Sequence, residues 1–236
     1  MPTKILRMII DFHAHVQPGA DHGCRNSAAA KEQLSLAAGA NVGAVVAVSH
    51  FYPLKDDTAD YLARRRRAKD KLQALCRQEN ALPQVLFGSE VTLCGGLDRL
   101  DCLRELCIDG TDCMLVEMPF ERWSTRLLDT LDALRHERDI SVLLAHADRY
   151  DPKAVETLLK DGYPCQLNYD GFGSFFKSRR LRKWAENGWV AALGSDIHGT
   201  QVGYKHLNKA RSALGDRLFD EISARSARLL NIEVAK

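Results

Sequence analysis

The stretch "IIDFHAHVQPGADHG", residues 9–23, carries three of the chain's eight histidines directly behind an apolar run. Side chains alternate across a strand with period two, so His13 and His15 face the same side and can grip one ion together. Asp11, Asp21 and His22 stand beside them. Taken alone, His-x-His after a strand also suits a polar turn. The rest of the chain decides between the two.

Short apolar runs recur downstream. The first strand is expected at Ile5–Asp11, and others at Val42–Ser49, Gln84–Ser89, Thr111–Glu117, Ser141–Ala145, Pro164–Asn168 and Trp189–Gly194. Several are nearly continuous in apolar residues, as strands covered on both faces are. Helical patterns lie between them, at Ser27–Ala38, Ala59–Glu79, Leu100–Cys107, Thr125–Glu137, Pro152–Lys160 and Phe175–Glu186, then from Lys205 to about Leu230 in two or three pieces. Ser124 caps one of these helices, and Gly39, Gly162 and Gly188 fall where helices should stop. Strands alternating with helices predict an α/β fold of parallel βα units, closed as a barrel or open as a doubly wound sheet.

The strand ends favour the barrel. Past the first run come His13 and His15, then His50, Glu90, Glu117, His146, and finally Asp196 with His198. A barrel gathers all C-terminal strand ends at one rim, whereas an open sheet spreads them by about 4.8 Å per strand. Singly, each residue has a plain reading as a core histidine, a strand-end carboxylate or a helix cap. Those readings would have to hold together on six strands. Imidazoles and carboxylates without thiolates suit Zn²⁺, Mn²⁺ or Fe²⁺, and this many donors exceed the roughly four to six one ion takes. Ions about 3.5–4 Å apart can hold a hydroxide and stabilise both reacting oxygens of a phosphate ester. His136, in "RHERD", and His206 lie in polar helical stretches away from this set.

Composition narrows the class. The 236 residues suit a single domain over 1–236, with 45% hydrophobic and 27% charged residues and a net charge of +2. So small a charge argues for neither nucleic acid nor a membrane surface as partner. No apolar run approaches the roughly 20 residues needed to span a bilayer, and the start reads unlike a signal peptide. Seven cysteines, with no Cys-x-x-Cys pair, read as reduced thiols of a cytoplasmic protein.

In chain order, "IIDFHAHVQPGADHG", "VVAVSHFYP", "LFGSEVTL", "MLVEMPF", "LLAHADRYD", "QLNYDGFG" and "LGSDIHG" resemble the polymerase-and-histidinol-phosphatase (PHP) superfamily. Within it they are most similar to the manganese-dependent bacterial tyrosine phosphatases of capsule and exopolysaccharide loci. The likeness runs from about Met8 to Ala210. It implies a distorted (β/α)7 barrel with three divalent ions, manganese first and iron or zinc as alternatives. The implied ligands are His13, His15, His22, His50, Glu90, Glu117, His146, Asp196 and His198. Asp11 would orient an imidazole, and Arg149, in "HADRY", would help hold the substrate phosphate with its planar fork. Two departures stand out. Where the family has two successive acids, this chain has Asp21-His22, so Asp21 rivals His22 as ligand. The arginine expected after Asp-x-His is absent from "DIHGTQVGYKHL", and Lys205 is the candidate replacement.

The implied activity is hydrolysis of phosphotyrosine by metal-activated hydroxide, on a protein such as a tyrosine kinase controlling capsular or exopolysaccharide synthesis. A small-molecule phosphoesterase of histidinol-phosphatase type is the second expectation. A non-catalytic, metal-stabilised interaction module is the third, weakened by the full ligand set. The run "RRRR" at Arg64–Arg67 is spread about 100° per residue round a helix and stands among aspartates, so it reads as a solvated face. "KSRRLRK" at Lys177–Lys183 follows the sixth strand and could attract acidic substrates to the rim.

Overall fold

The computed structural model describes residues 8–199 and 204–232; Ile5–Arg7 of the first expected strand lie outside it. Along the chain run β1 (Ile9–Ala14), α1 (Ser27–Gly39), β2 (Val42–Ala47), β3 (His50–Phe51), α2 (Thr58–Gln78), β4 (Gln84–Phe87), β5 (Glu90–Thr92), α3 (Leu103–Leu106), β6 (Cys113–Glu117), α4 (Thr125–His136), β7 (Ser141–Leu144), α5 (Pro152–Lys160), β8 (Cys165–Asn168), α6 (Phe175–Glu186), β9 (Val190–Gly194), α7 (Leu207–Leu214) and α8 (Asp216–Leu229). All strand pairings are parallel, in the orders β1-β2-β4 and β3-β5-β6-β7-β8-β9. β1, β8 and β9 are buried along their whole length, as strands with both faces covered must be.

Two expected strands stop short, at Ala47 instead of Ser49 and at Phe87 instead of Ser89. After a break each is followed by a further short strand, β3 and β5. The buried Gln17 shows why. Its Nε2 donates to Ala47 O at 2.8 Å and to Gly88 O at 3.0 Å, at the ends of β2 and β4. The ladder resumes beyond the break, with His50 opposite Glu90. The break thus delivers a histidine and a glutamate to adjacent positions. At the other side the segment just after β9 returns to β1 through a parallel bridge, Ala14 to Ile197. Hydrogen bonds from His15 N to Ile197 O (3.0 Å) and from Asp196 N to His13 O (2.7 Å) reinforce it. The irregular seam therefore lies where the first and last donor groups meet.

Local signals place the helices. Ser124 accepts from Leu127 N at the start of α4, and Asp151 accepts from Lys153 N and Ala154 N before Pro152 opens α5. Gly162 and Gly188 take left-handed φ of 88° and 81° after α5 and α6. Gly39 does not: it is the last residue of α1, and Asn41 makes the left-handed turn at φ 60°. The Arg64–Arg67 run is only half solvated. Arg64 donates to Ala20 O and pairs with Asp56, while Arg65 is buried against Asp109. Among the described residues no helix is long and apolar enough to cross a membrane. All seven cysteines are free, and burial pushes the Cys107 thiol up to about 11 and those of Cys113 and Cys165 higher still.

Candidate metal centre

Glu90, fully buried at the start of β5, is the hub. Its Oε2 lies 3.2 Å from His13 Nε2, 3.0 Å from His15 Nε2 and 3.0 Å from His50 Nδ1; its Oε1 lies 2.8 Å from His146 Nε2. Asp196 Oδ1 is 3.5 Å from both His13 Nε2 and His15 Nε2. Glu117 Oε1 stands 3.5 Å from His146 Nε2, and its other oxygen accepts from Thr92 Oγ1 at 2.8 Å. His198 Nε2 comes within 3.3 Å of His50 Nε2. Three overlapping donor sets result: His15–His50–His198, His13–His15–Glu90–Asp196 and His50–Glu90–Glu117, each with its ligand atoms within 4.8 Å of one another.

The donors fit divalent cations. Glu90 Oε2 is buried among three ring nitrogens yet has no hydrogen bond, and His50 Nδ1 and His146 Nδ1 are buried without partners. Buried polar atoms are seldom left so, and a cation between Glu90 Oε2 and His50 Nδ1, 3.0 Å apart, would satisfy both at once. Two sharp backbone positions hold the geometry. His146 and Asp196 sit at φ 30° and 51°, conformations costing about 1–3 kcal/mol outside glycine and typical of functional sites.

Charges in the cluster are strongly coupled. Burial opposes protonation of His15, but Asp21 and Glu90 overcome it and raise its imidazole to about 10. Burial likewise opposes, and Glu117 and Glu90 overcome, at His146, raised to about 9. Burial and the nearby His15 pull His50 down to about 4. Against burial, the surrounding imidazoles hold Glu90 well below the carboxylate range and also lower Asp196.

Several residues act through others. Gln166 Oε1 accepts from the His146 backbone N–H at 2.7 Å, so the same oxygen must accept from His13 Nδ1 at 3.2 Å. That leaves the lone pair of His13 Nε2 facing Glu90. Gln166 Nε2 donates to Asn168 Oδ1, and Asn168 Nδ2 donates to Asp196 Oδ2 at 3.1 Å. Asp21 bonds His15 Nδ1 at 2.8 Å and accepts from the His50 and Gly23 backbones. It is therefore engaged in aiming His15. His22 is exposed and in none of the three sets; its ring stacks on His50 (5.0 Å between centroids) and His198 (4.8 Å).

Asp11 departs from expectation. It touches no imidazole ring: its Oδ1 accepts from His13 N and Ser195 N, and its Oδ2 from Tyr204 OH at 2.7 Å. It fixes the backbones that carry His13 and Asp196. Arg149, 41% exposed, pairs with Asp196 Oδ2 at 3.0 Å, on the rim of the cluster. Lys205 is exposed on the turn before α7, and part of the segment leading to it, residues 200–203, lies outside the described residues. Lys177, from the basic run, bonds Asp148 Oδ2 at 2.8 Å, while Asp148 Oδ1 accepts from Asn168 N. Gln166 and Asn168 escaped the reading of strand ends because neither is charged. Their spacing, two polar residues alternating within the buried strand "CQLN", was the available signal.

Residues 9–230 match the family described as capsular polysaccharide synthesis, CpsB/CapC. The chain is 24% identical over 229 residues to the tyrosine-protein phosphatase YwqE of Bacillus subtilis (strain 168), covering 91% of this chain and 87% of that protein. Its fold is similar to a crystal structure reported for YwqE of B. subtilis and CpsB of Streptococcus pneumoniae, described as metal-dependent tyrosine phosphatases. The TM-score is 0.77, with 22% identity and 96% of each chain covered. It is also similar to the histidinol phosphate phosphatase of Lactococcus lactis subsp. lactis Il1403, solved with zinc, L-histidinol and phosphate. There the TM-score is 0.54, with 14% identity, 89% of this chain and 93% of that one covered.

Proposed function

The chain belongs to the CpsB/CapC family of capsular polysaccharide synthesis, and from that membership we propose that it is a metal-dependent protein-tyrosine phosphatase. One domain over residues 1–236 carries the activity. Its substrate is a phosphotyrosine protein, a tyrosine kinase controlling capsular or exopolysaccharide synthesis in the cytoplasm. One observation carries this reading: buried imidazoles and carboxylates from separate strand ends converge on Glu90.

Three divalent ions, manganese first, would be held by His13, His15, His22, His50, Glu90, Glu117, His146, Asp196 and His198. A stacked ring presents its face, so His22 must turn to offer a nitrogen, and its exposure leaves room for that. The ions would make water nucleophilic near neutral pH and offset phosphate charge. The chain's own groups do the positioning. Gln166 and Asp21 keep the Nδ1 protons of His13 and His15 away from the centre, leaving Nε2 free to ligate. Arg149, at the rim, swings its fork from Asp196 to two phosphoryl oxygens.

The likeness to a histidinol phosphatase and the missing arginine after His198 sustain a second reading, hydrolysis of a small phosphate ester. Kinetics separate the two. Chelator-stripped protein should not hydrolyse p-nitrophenyl phosphate and should recover with Mn²⁺. The loaded protein should show a higher kcat/KM for phosphotyrosine peptides than for histidinol phosphate. Full activity without metal would sink the metallophosphatase reading; the reverse substrate order would install the second.

A further inference from the structure

Beside the metal centre, between the β6–α4 loop and the start of α5, lies a cavity of about 490 Å³. Its lining includes Phe120, Trp123, Leu128, Arg149 and Tyr150. Resting on the phosphatase reading above, we propose that this cavity receives the aryl group of the phosphate ester, with Phe120 as its stacking wall.

Three observations point there. First, two residues of the cavity wall touch the centre. Phe120 lies parallel to His146, 11° between planes and 6.2 Å between centroids, while His146 Nε2 lies 2.8 Å from Glu90 Oε1. Arg149 lines the cavity and also pairs with Asp196, so a phosphoryl group at the centre would hold its ester oxygen toward the aromatic wall. An aryl ring begins one atom beyond that oxygen. Second, Phe120 is 67% exposed, an aromatic face with solvent on it beside a buried polar cluster. Third, the other two rings are fixed by their polar atoms. Tyr150 OH accepts from Met118 N at 3.0 Å, and Trp123 Nε1 donates to Pro119 O at 2.9 Å. Tyr150 meets Phe120 at 5.4 Å and Trp123 edge-on at 5.8 Å. Fixed rings lose little freedom when a ligand ring joins them. The volume exceeds a single phenyl ring and leaves room for a flanking side chain of a peptide. Phe120 and Trp123 are thus specificity residues: they favour an aryl ester over an alkyl one bearing the same phosphate.

The test uses Mn²⁺-loaded full chain with p-nitrophenyl phosphate and O-phosphoserine. Each variant is compared with wild type, so the intrinsic difference between leaving groups cancels. In Phe120→Ala the ratio of kcat/KM for the aryl to the alkyl ester should fall roughly 3- to 10-fold, the range one aromatic pair supplies. Phe120→Tyr should restore it. A binding arm needs no turnover: phenylphosphonate should inhibit more strongly than methylphosphonate and change Trp123 fluorescence, a change abolished in Trp123→Phe. An unaltered aryl-to-alkyl ratio in Phe120→Ala, or equal inhibition by the two phosphonates, overturns the proposal while leaving the phosphatase reading intact. Failure of the loaded wild type to hydrolyse any phosphomonoester overturns both.

Discussion

Gln166 accepts the His13 Nδ1 proton and the His146 backbone N–H through one oxygen. Replacing it with leucine keeps approximate volume but leaves both donors buried and unpaired. An unsatisfied buried group costs about 1–3 kcal/mol, and loss of an outer partner of a ligand weakens metal binding roughly 10- to 100-fold. Gln166→Leu should therefore lower both the melting temperature of metal-free protein and its Mn²⁺ affinity, read by calorimetric titration. Unchanged affinity would show that His13 needs no outside hold. At this scale the sequence was legible wherever chemistry marked a residue by type. His13, His15, His50, Glu90, Glu117, His146, Asp196 and His198 could be picked out as titratable groups at strand ends. Gln166 carries no such mark. Besides the His13 N–H, the partners of Asp11 are Ser195 and Tyr204, which lie 184 and 193 residues away, a separation no local pattern spans.

Most helix limits came through well because caps are local; the exception is the stretch expected at Leu100–Cys107, where only Leu103–Leu106 is α-helical and no side chain caps its start. Ser124, Asp151 and Pro152 each act within one turn of the residue they protect. The broken strands were not legible, because Gln17 acts on carbonyls 30 and 71 residues away. The same long-range packing sets which glycines matter. A Cβ on Gly194 would stand 2.6 Å from His13 Cβ and 3.0 Å from His13 N, so β9 can pass β1 here only without a side chain. Gly39, the last residue of α1, has no left-handed φ, and a Cβ added there would meet nothing within 4 Å. The two predict opposite signs. Gly194→Ala should destabilise by about 1–3 kcal/mol through overpacking. Gly39→Ala should stabilise by about 0.5–1 kcal/mol by restricting the unfolded chain. Urea denaturation of both variants checks this pair, and a neutral Gly194→Ala would contradict the close approach of β1 and β9.

For the molecule as a whole, protons and metal ions compete for one set of donors. In metal-free protein His15 and His146 are raised to about 10 and about 9, so at pH 7 both rings hold a proton that a bound ion must displace. Uptake of Mn²⁺ in weak buffer should therefore acidify the solution, and affinity should rise with pH, up to about tenfold per pH unit for each proton released. Stability follows the same linkage. A histidine raised above its unfolded value of about 6.5 stabilises the metal-free fold fully below that pH. The contribution shrinks as pH climbs toward about 9 for His146 and about 10 for His15. Metal-loaded protein does not draw on those imidazolium ions, and tighter binding adds to its stability as pH rises. The gap in melting temperature between loaded and metal-free protein should accordingly widen from pH 6 to pH 9 at constant Mn²⁺. A gap that stays constant or narrows would mean that His15 and His146 do not exchange protons for metal, and so do not belong to the centre that holds it.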